Sequence, residues 1–562
     1  MTRTFAAVLA LALLATPACA QRGQGDVLFP PESVRNADAA SASDIPDWAE
    51  SGVCYEIFVR SFRDGDGDGT GDFRGLTSQL DYINDGDAST TDDLGANCIW
   101  LMPIMPSPSY HGYDVTNYYD INRDYGTLDD FRAFLDAAHE RGIHVLIDLV
   151  LNHISSEHPY FRSALVDESS AYRDWFVWSP TPRPSPGWEA PVWHRVQRGQ
   201  GREEYYYGLF WGGMPDYDLS NPEVKAEIER IVDFWANDVG VDGFRLDAIG
   251  HLFEGPGGQW KNAPQNYPWL REFRQMLDRV SPDAFTVGEV YDNHAGYVTY
   301  YPDMLHTFFA FEVADSLIGA VRNGNAAGVA AAVMQAQRDI PDHRWGLFIR
   351  NHDQTRTLTD MGGDVARVKL AAALQLTLPG IPFVYYGEEL GMTGDKRHGD
   401  IRLRTPMHWT TGTHVGFSEH TPWEPLASDS LTANVQAQDA DPNSMLNHYR
   451  ALIQLRRSNP ALATGEFVPL TATDPHVLAY ARRTDDGRAA IVVANLSEQR
   501  VASARVSSQG EALRQGRYTP SVVFGGGSAN TLSVARDGRV SGWRVDDIAP
   551  LSVRVIDLAY HN

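Results

Sequence analysis

Short β-rich runs alternate with amphipathic helical segments eight times along this chain, and that recurrence restricts the fold more than any other feature. The runs cover 53–59, 98–104, 143–150, 241–247, 284–289, 306–311, 345–350 and 381–386. Between them, the segment 128–141 sets Phe131, Phe134, Leu135 and Ala138 on one face, with Thr127 to cap it and Gly142 to stop it. Asn221-Pro222 opens another helix, in which Ile228, Ile231, Val232, Trp235 and Val239 recur at helical spacing. Eight strand–helix units predict an α/β fold, a (β/α)8 TIM barrel, whose functional groups project from the C-terminal ends of the strands. A doubly wound sheet would carry an early Gly-rich phosphate loop, and the sequence has none.

The connection after the third run, 154–213, is far longer than an ordinary loop and rich in Pro, Trp and Tyr, so it predicts a small inserted domain, domain B. It divides the barrel into 48–153 and 214–460. From 461 to 562 the pattern changes to short alternating runs broken by Gly-rich turns such as Gly525-Gly-Gly-Ser528, which predicts a C-terminal antiparallel β-sandwich.

Three carboxylates stand at or just after strand ends: Asp247 in Gly243-Phe-Arg-Leu-Asp247, Glu289 in Val287-Gly-Glu289 and Asp353 in Asn351-His-Asp353. A barrel brings such ends to one mouth. Glycoside chemistry needs one carboxylate to attack the anomeric carbon, one carboxylic acid to protonate the leaving oxygen, and charge to steady an oxocarbenium-like transition state. These three acids can supply all of it.

A formal charge of -26, from 47 basic and 73 acidic residues, disfavours nucleic acid and anionic membrane as partners. Residues 1–20 carry Arg3, an apolar run from Phe5 to Ala15 and Ala18-Cys-Ala20, the layout of a secretory signal. The run is too short to span a membrane, so no integral segment is expected after cleavage. Export to the periplasm or medium follows. Lipid attachment at Cys19 fits less well, because Thr16-Pro-Ala18 is a poor lipobox. Residues 21–47 read as a polar, flexible tail. Cys54 and Cys98 fall in the first two predicted strands: a disulfide is open to them in an oxidising compartment, but two buried thiols packed as small hydrophobes account for them more simply.

The motifs resemble the α-amylase family, glycoside hydrolase family 13. Asp148-Leu-Val-Leu-Asn-His153, Gly243-Phe-Arg-Leu-Asp247, Gly288-Glu-Val290 and Asn351-His-Asp353 look like its four signature segments in order. Gly95-Ala-Asn-Cys-Ile-Trp-Leu-Met-Pro103, Met214-Pro-Asp216 and Gly380-Ile-Pro-Phe-Val-Tyr-Tyr-Gly-Glu388 look like secondary ones. The resemblance implies Asp247 as nucleophile, Glu289 as general acid/base and Asp353 as transition-state stabiliser, with retention of configuration. Arg245, two residues before Asp247 and on the same side of the strand, would hold the nucleophile ionised. Burial would keep the proton on Glu289. His153 and His352 resemble histidines that bond the sugar, and Tyr113 the aromatic platform beneath it. Asp114 and Arg404 resemble a clamp on the non-reducing end in exo-acting relatives.

Asp64, Asp66, Asp68, Thr70 (through its carbonyl) and Asp72 alternate with Gly and resemble the family's calcium loop, an oxygen-rich site for a hard cation. A second Ca2+ is suggested where Asn152, Asp216 and the His251 carbonyl would meet. Ala248 after the nucleophile is typical of relatives acting on α-1,4 bonds, so starch and malto-oligosaccharides are the expected partners and the expected activity is that of an α-amylase. The stretch from Ser89 to Asp114 is similar to a bacterial group intermediate between oligo-1,6-glucosidases and neopullulanases. Gly250, where many α-amylases place a lysine, and the Arg404–Trp409 segment leave an exo-acting α-glucosidase with transglycosylation as the alternative. A non-catalytic glucan binder is more remote, since such homologues generally lose a member of the triad. A monomer is expected.

Overall fold

The computed structural model describes residues 45–198 and 201–561. The signal segment and most of the tail lie outside them. Strands β1 (Cys54–Ile57), β2 (Cys98–Leu101) and β3 (His144–Leu149) begin the barrel. The insertion contributes β4 (Trp178–Ser179), β5 (Trp193–Gln197) and β6 (Glu203–Tyr207). Then β7 (Gly243–Leu246), β8 (Phe285–Gly288), β9 (Thr307–Phe309), β10 (Trp345–Leu347) and β11 (Ile381–Tyr385) complete it. The eight barrel strands pair in parallel and in chain order, and β1 against β11 closes the ring. The alternation of runs is therefore the barrel it implies.

Local chemistry explains the flanking helices. Thr127 and Asp130 form a reciprocal capping box at the start of Leu128–Glu140. Asn221 caps Pro222–Asp233, where Pro222 spends a first-turn position that needs no N–H. That helix runs on into a wider turn, Phe234–Val239, which ends at Gly240 in the left-handed region with φ 96°. There Trp235 is fully buried and donates to the Tyr118 carbonyl at 2.8 Å.

Inside the ring, Trp100, Leu146, Phe285, Val287, Phe309 and Phe383 pack together with Cys54 and Cys98. The two cysteines sit opposite each other in the parallel register of β1 and β2, with Cα atoms 4.3 Å apart, and form a disulfide. This corrects the simpler expectation of two packed thiols: adjacent strands, equal register and a shared inward face leave the sulfurs in contact.

In the insertion, β4, β6 and β5 form an antiparallel sheet over a small core that includes Val192, Trp193, Tyr207 and Leu209. The C-terminal region holds β12 (Glu466–Ala472), β13 (Val477–Arg483), β14 (Ala489–Asn495), β15 (Val501–Ser507), β16 (Gly516–Phe524), β17 (Leu532–Val534), β18 (Trp543–Ile548) and β19 (Ser552–His561). They are antiparallel in the order β17-β16-β19-β14-β13-β12-β15-β18. Alternate residues serve two cores. Tyr480, Val492 and Val555 join the barrel's outer core. Ala481, Ile491 and Ile556 pack with Val506 and Trp543 from the far end of the strand order, as in a sandwich.

Two buried arginines sit at the junction with the barrel: Arg482 on β13 reaches back across it, and Arg456, on the helix Met445–Ser458 that ends the barrel, donates forward to the Ala463 carbonyl at 3.1 Å. Arg456 donates to the carbonyls of Leu378 and Gly380 at 2.9 and 2.6 Å, and Arg482 to that of Thr377 at 2.8 Å. These carbonyls follow the end of helix Val365–Thr377, where the last turn leaves acceptors without helical partners and the dipole favours cations. Among the described residues no helix is long and apolar enough to cross a membrane.

Candidate active site

The C-terminal mouth of the barrel opens into a cavity of about 310 Å³ lined by Asp247, Glu289 and Asp353 together with Tyr113, His153 and Arg404. Arg245 is 1 % exposed beneath it and binds two of the acids at once. Its Nη1 lies 2.7 Å from Asp247 Oδ1, its Nη2 lies 2.7 Å from Glu289 Oε2, and Nη1 also meets both oxygens of Asp148 at 2.9 Å. Pairing across β3, β7 and β8 sets this up, because Asp148 is in register with Arg245 and Arg245 with Val287. Ala248 follows the first acid in the left-handed region, φ 49°, which turns its N–H to Glu289 Oε2 at 3.1 Å.

Burial governs the protonation of these groups. It pushes the Glu289 carboxyl up; Arg245 opposes this, and the negative charges of Asp247 and Asp353 reinforce it. Asp247 is also raised by burial, with Arg245 at 2.7 Å pulling the other way. Asp148, behind the guanidinium, is pushed by burial to about 7. At Asp353 burial is outweighed by His352, Arg404 and Lys396, which hold the carboxyl well below its usual range. Arg404 Nη2 lies 2.7 Å from Asp353 Oδ1. Burial opposes charge on His352, yet Asp353 and Glu56 lift that ring to about 9. Two kinds of acid thus share the cavity: Asp353 is firmly ionised, whereas Asp247 and Glu289, each bonded to Arg245, are both pushed up by burial.

Several expected residues take other places. Arg245 and His352 stand beneath the cavity and touch the acids rather than its open space. Tyr113 does line it, and its hydroxyl meets His352 Nε2 at 2.7 Å and Asp148 at 3.1 Å. His153 lines it with Nε2 unpartnered, packed on Phe210 with ring centres 5.1 Å apart, and burial lowers it to about 4. Asp114 does not line it. Its carboxylate accepts from Ser107 at 2.5 Å and from Ser109. The Arg404 guanidinium stands 5.8 Å from the Tyr110 ring and 3.9 Å from Asp400, and both of those residues line the cavity.

His111, Phe210, Trp211 and Met214 also contribute to the wall. The aromatic stretch before Trp211 was a visible signal for two of them; for Asp400 there was none, since its place depends on the turn between 396 and 403. A Cβ at Gly250 would make ordinary van der Waals contact with Asn262 Oδ1 at 3.5 Å and Lys261 Cγ at 4.0 Å.

Asp64, Asp66 and Asp72 bring carboxylate oxygens within 4.8 Å of one another, a hard-donor set suited to a divalent cation. Asp64 and Asp72 also accept the loop's own N–H groups, from Gly69 at 2.8 Å and Gly75 at 2.7 Å. Asp68 is outside this close group of carboxylates, and its Oδ1 accepts the Thr70 N–H at 2.7 Å. At the second place, Asn152 Nδ2 meets Asp216 Oδ2 at 3.2 Å, and Asn152 Oδ1 is buried without a partner. Burial pushes Asp216 to about 7. An orphaned oxygen beside a strained carboxylate suits a cation there as well. The His251 ring bonds to the Trp260 carbonyl at 2.9 Å.

A (β/α)8 barrel with three carboxylates converging at its mouth, two on the Arg245 guanidinium and one on that of Arg404, defines a barrel glycoside hydrolase. The family model "Alpha amylase, catalytic domain" matches residues 56–465, and the chain belongs to that family, glycoside hydrolase family 13. It is 38 % identical over 452 residues to "Alpha-amylase 3" of Dictyoglomus thermophilum, covering 79 % of this chain and 85 % of that protein. Identity to "Trehalose synthase/amylase TreS" of Mycobacterium tuberculosis is 33 % over 536 residues, 84 % and 86 % of the two chains. The crystal structure of an α-amylase from H. orenii aligns with a TM-score of 0.76 at 38 % identity, covering 90 % of this chain and 99 % of that one.

Proposed function

We propose that the chain is an exported α-amylase that hydrolyses α-1,4-glucosidic bonds in starch and malto-oligosaccharides with retention, through a covalent glycosyl-enzyme. The observation that carries this is the shared guanidinium: Asp247 and Glu289 each bond a different nitrogen of Arg245 at 2.7 Å. Acceptors on one planar fork are held near each other, as a retaining pair at ~5 to 5.5 Å requires. Asp247 attacks the anomeric carbon, and its charge is supported by Arg245. Glu289 gives its proton to the leaving oxygen and then takes one from the incoming water. Asp353, held ionised, faces the developing oxocarbenium ion. Tyr113 and His153 line the pocket for the sugar itself.

One feature favours α-1,4 action: Ala248 follows the nucleophile. The amylase names of relatives at 38 % identity support the same reading. The Cys54–Cys98 disulfide supports export to an oxidising compartment. Calcium is proposed at Asp64, Asp66 and Asp72, and at Asn152 and Asp216, as a structural cation.

A second reading, an exo-acting α-glucosidase with transglycosylation, is favoured by Arg404 and Asp400 together on the cavity wall, where a charged pair would grip a chain end. Time-resolved chromatography of products from starch, maltoheptaose and sucrose separates the two. Mixed oligosaccharides from the first turnovers are expected; glucose alone would overturn endo-action, and products longer than the substrate would show transfer.

A further inference from the structure

His352 has no exposed surface, and each of its ring nitrogens faces an acceptor. Nδ1 meets the carboxylate of Glu56, while Nε2 faces Tyr113 Oη at 2.7 Å and Asp353 Oδ2 at 3.3 Å. Glu56 is 2 % exposed at an inward position of β1, two residues beyond Cys54. A carboxylate in such a place persists only with a charged or hydrogen-bonding partner, and His352 is the partner it has. The ring is locked in plane as well as in charge: it stacks on Tyr113 with centres 5.8 Å apart and meets Trp100 edge-on at 5.6 Å.

We propose, on the reading of Asp353 as the transition-state stabiliser, that Glu56 is a positioning residue: it holds His352 as the doubly protonated imidazolium whose Nε2–H fixes the charge and direction of Asp353. Glu56 touches neither the cavity nor the reacting atoms. Its effect passes through the ring, because a neutral imidazole has one N–H and cannot serve acceptors on both sides.

The groups around the ring decide its charge together. Negative groups come from four strands: Glu56 on β1, Asp148 on β3, Asp247 after β7 and Asp353 after β10. The Tyr113 hydroxyl adds an acceptor from the loop after β2. Against them stand Arg245, which neutralises Asp148 and Asp247 directly, and Arg404, whose Nε donates to the His352 carbonyl at 3.1 Å. With those two aspartates satisfied by Arg245, and Asp353 sharing one oxygen with Arg404 while its other faces Nε2, Glu56 and Asp353 are the carboxylates in direct reach of the ring. Removing either charge shifts the ring toward neutrality.

The test is Glu56→Gln, which keeps size and hydrogen-bonding capacity while deleting the charge. In protein labelled with [15N]histidine, His352 is assigned by the signal lost in His352→Asn. At about pH 8, above the ordinary histidine range, we expect a doubly protonated ring in the parent and a singly protonated one in Glu56→Gln. The alkaline limb of kcat/KM on a maltooligosaccharide should move down by about 1 to 2 pH units, with KM nearly unchanged and partial rescue in Glu56→Asp. A neutral His352 in the parent, or a charged one in Glu56→Gln, overturns the proposal, as does a pH profile superimposable on the parent's. Should Glu56→Gln not fold, the charge of His352 in the parent still decides. The spectra need no substrate, so a parent with charged His352 that cuts no α-glucan would refute the proposed function and leave Glu56 in place.

Discussion

Arg245 is asked to satisfy Asp148, Asp247 and Glu289 from a position with almost no access to water. Taking one partner from such a buried network typically costs 3–5 kcal/mol, so the acids are part of the barrel's stability as well as its chemistry. Glu289 is the member whose proton matters. Because burial and neighbouring carboxylates raise it, activity should be retained as pH rises until either Glu289 or the His352 imidazolium loses its proton, and should fall on the acid side as Asp247 gains one. Glu289→Gln keeps the shape and the bond from Ala248 but has no proton to give. We expect kcat on soluble starch to fall by about 10²–10⁴-fold with melting temperature near the parent's; an unchanged kcat would remove Glu289 from the reaction. These three acids and Arg245 were legible in the sequence because strand ends and i, i+2 spacing are local facts. Glu56 was not, since its partner lies 296 positions away.

At the scale of single elements, the loop 64–72 shows how short-range pattern and long-range anchoring divide the work. Its Asp–Gly alternation marks an oxygen-rich turn, and glycine is required where backbone passes close: a side chain at Gly71 would lie 2.1 Å from the Val59 carbonyl. The loop is also held from afar, since Ser418 donates to Asp64 Oδ2 at 2.5 Å across 354 positions, a contact that no local pattern reveals. A cation gathered by Asp64, Asp66 and Asp72 would bind only the folded loop, contributing about 2.7 kcal/mol when present at 100 times its Kd. Chelation should therefore lower the melting temperature, with calcium restoring it. An unmoved transition, together with no metal in elemental analysis, would dismiss the ion. The disulfide belongs to this scale too. Two cysteines in neighbouring strands left bonded and free states open, and the register of β1 on β2 decided between them.

For the molecule as a whole, the eight strands appear where the alternation places them, because buried parallel strands are nearly continuous apolar runs and stand out from the helices around them. Less legible was the union of barrel and C-terminal region. Arg456 and Arg482 read as surface residues by type, yet both are fully buried and serve carbonyls alone, and burial lowers Arg456 to about 10. The topology beyond them has a temporal consequence. Strand β19, the last described in the chain, does not lie at an edge: it runs between β14 and β16 for 10 residues. During synthesis the C-terminal sheet stays split, with two neighbouring edges open to pairing with other chains, until 552–561 leave the ribosome. Chains ending at 551 are expected in the insoluble fraction, and soluble, cooperatively melting material would contradict this. A chain broken off at 551 would therefore carry Asp247, Glu289 and Asp353 yet leave β14 and β16 with open edges, the mark by which proteases and chaperones tell an unfinished fold from a finished one.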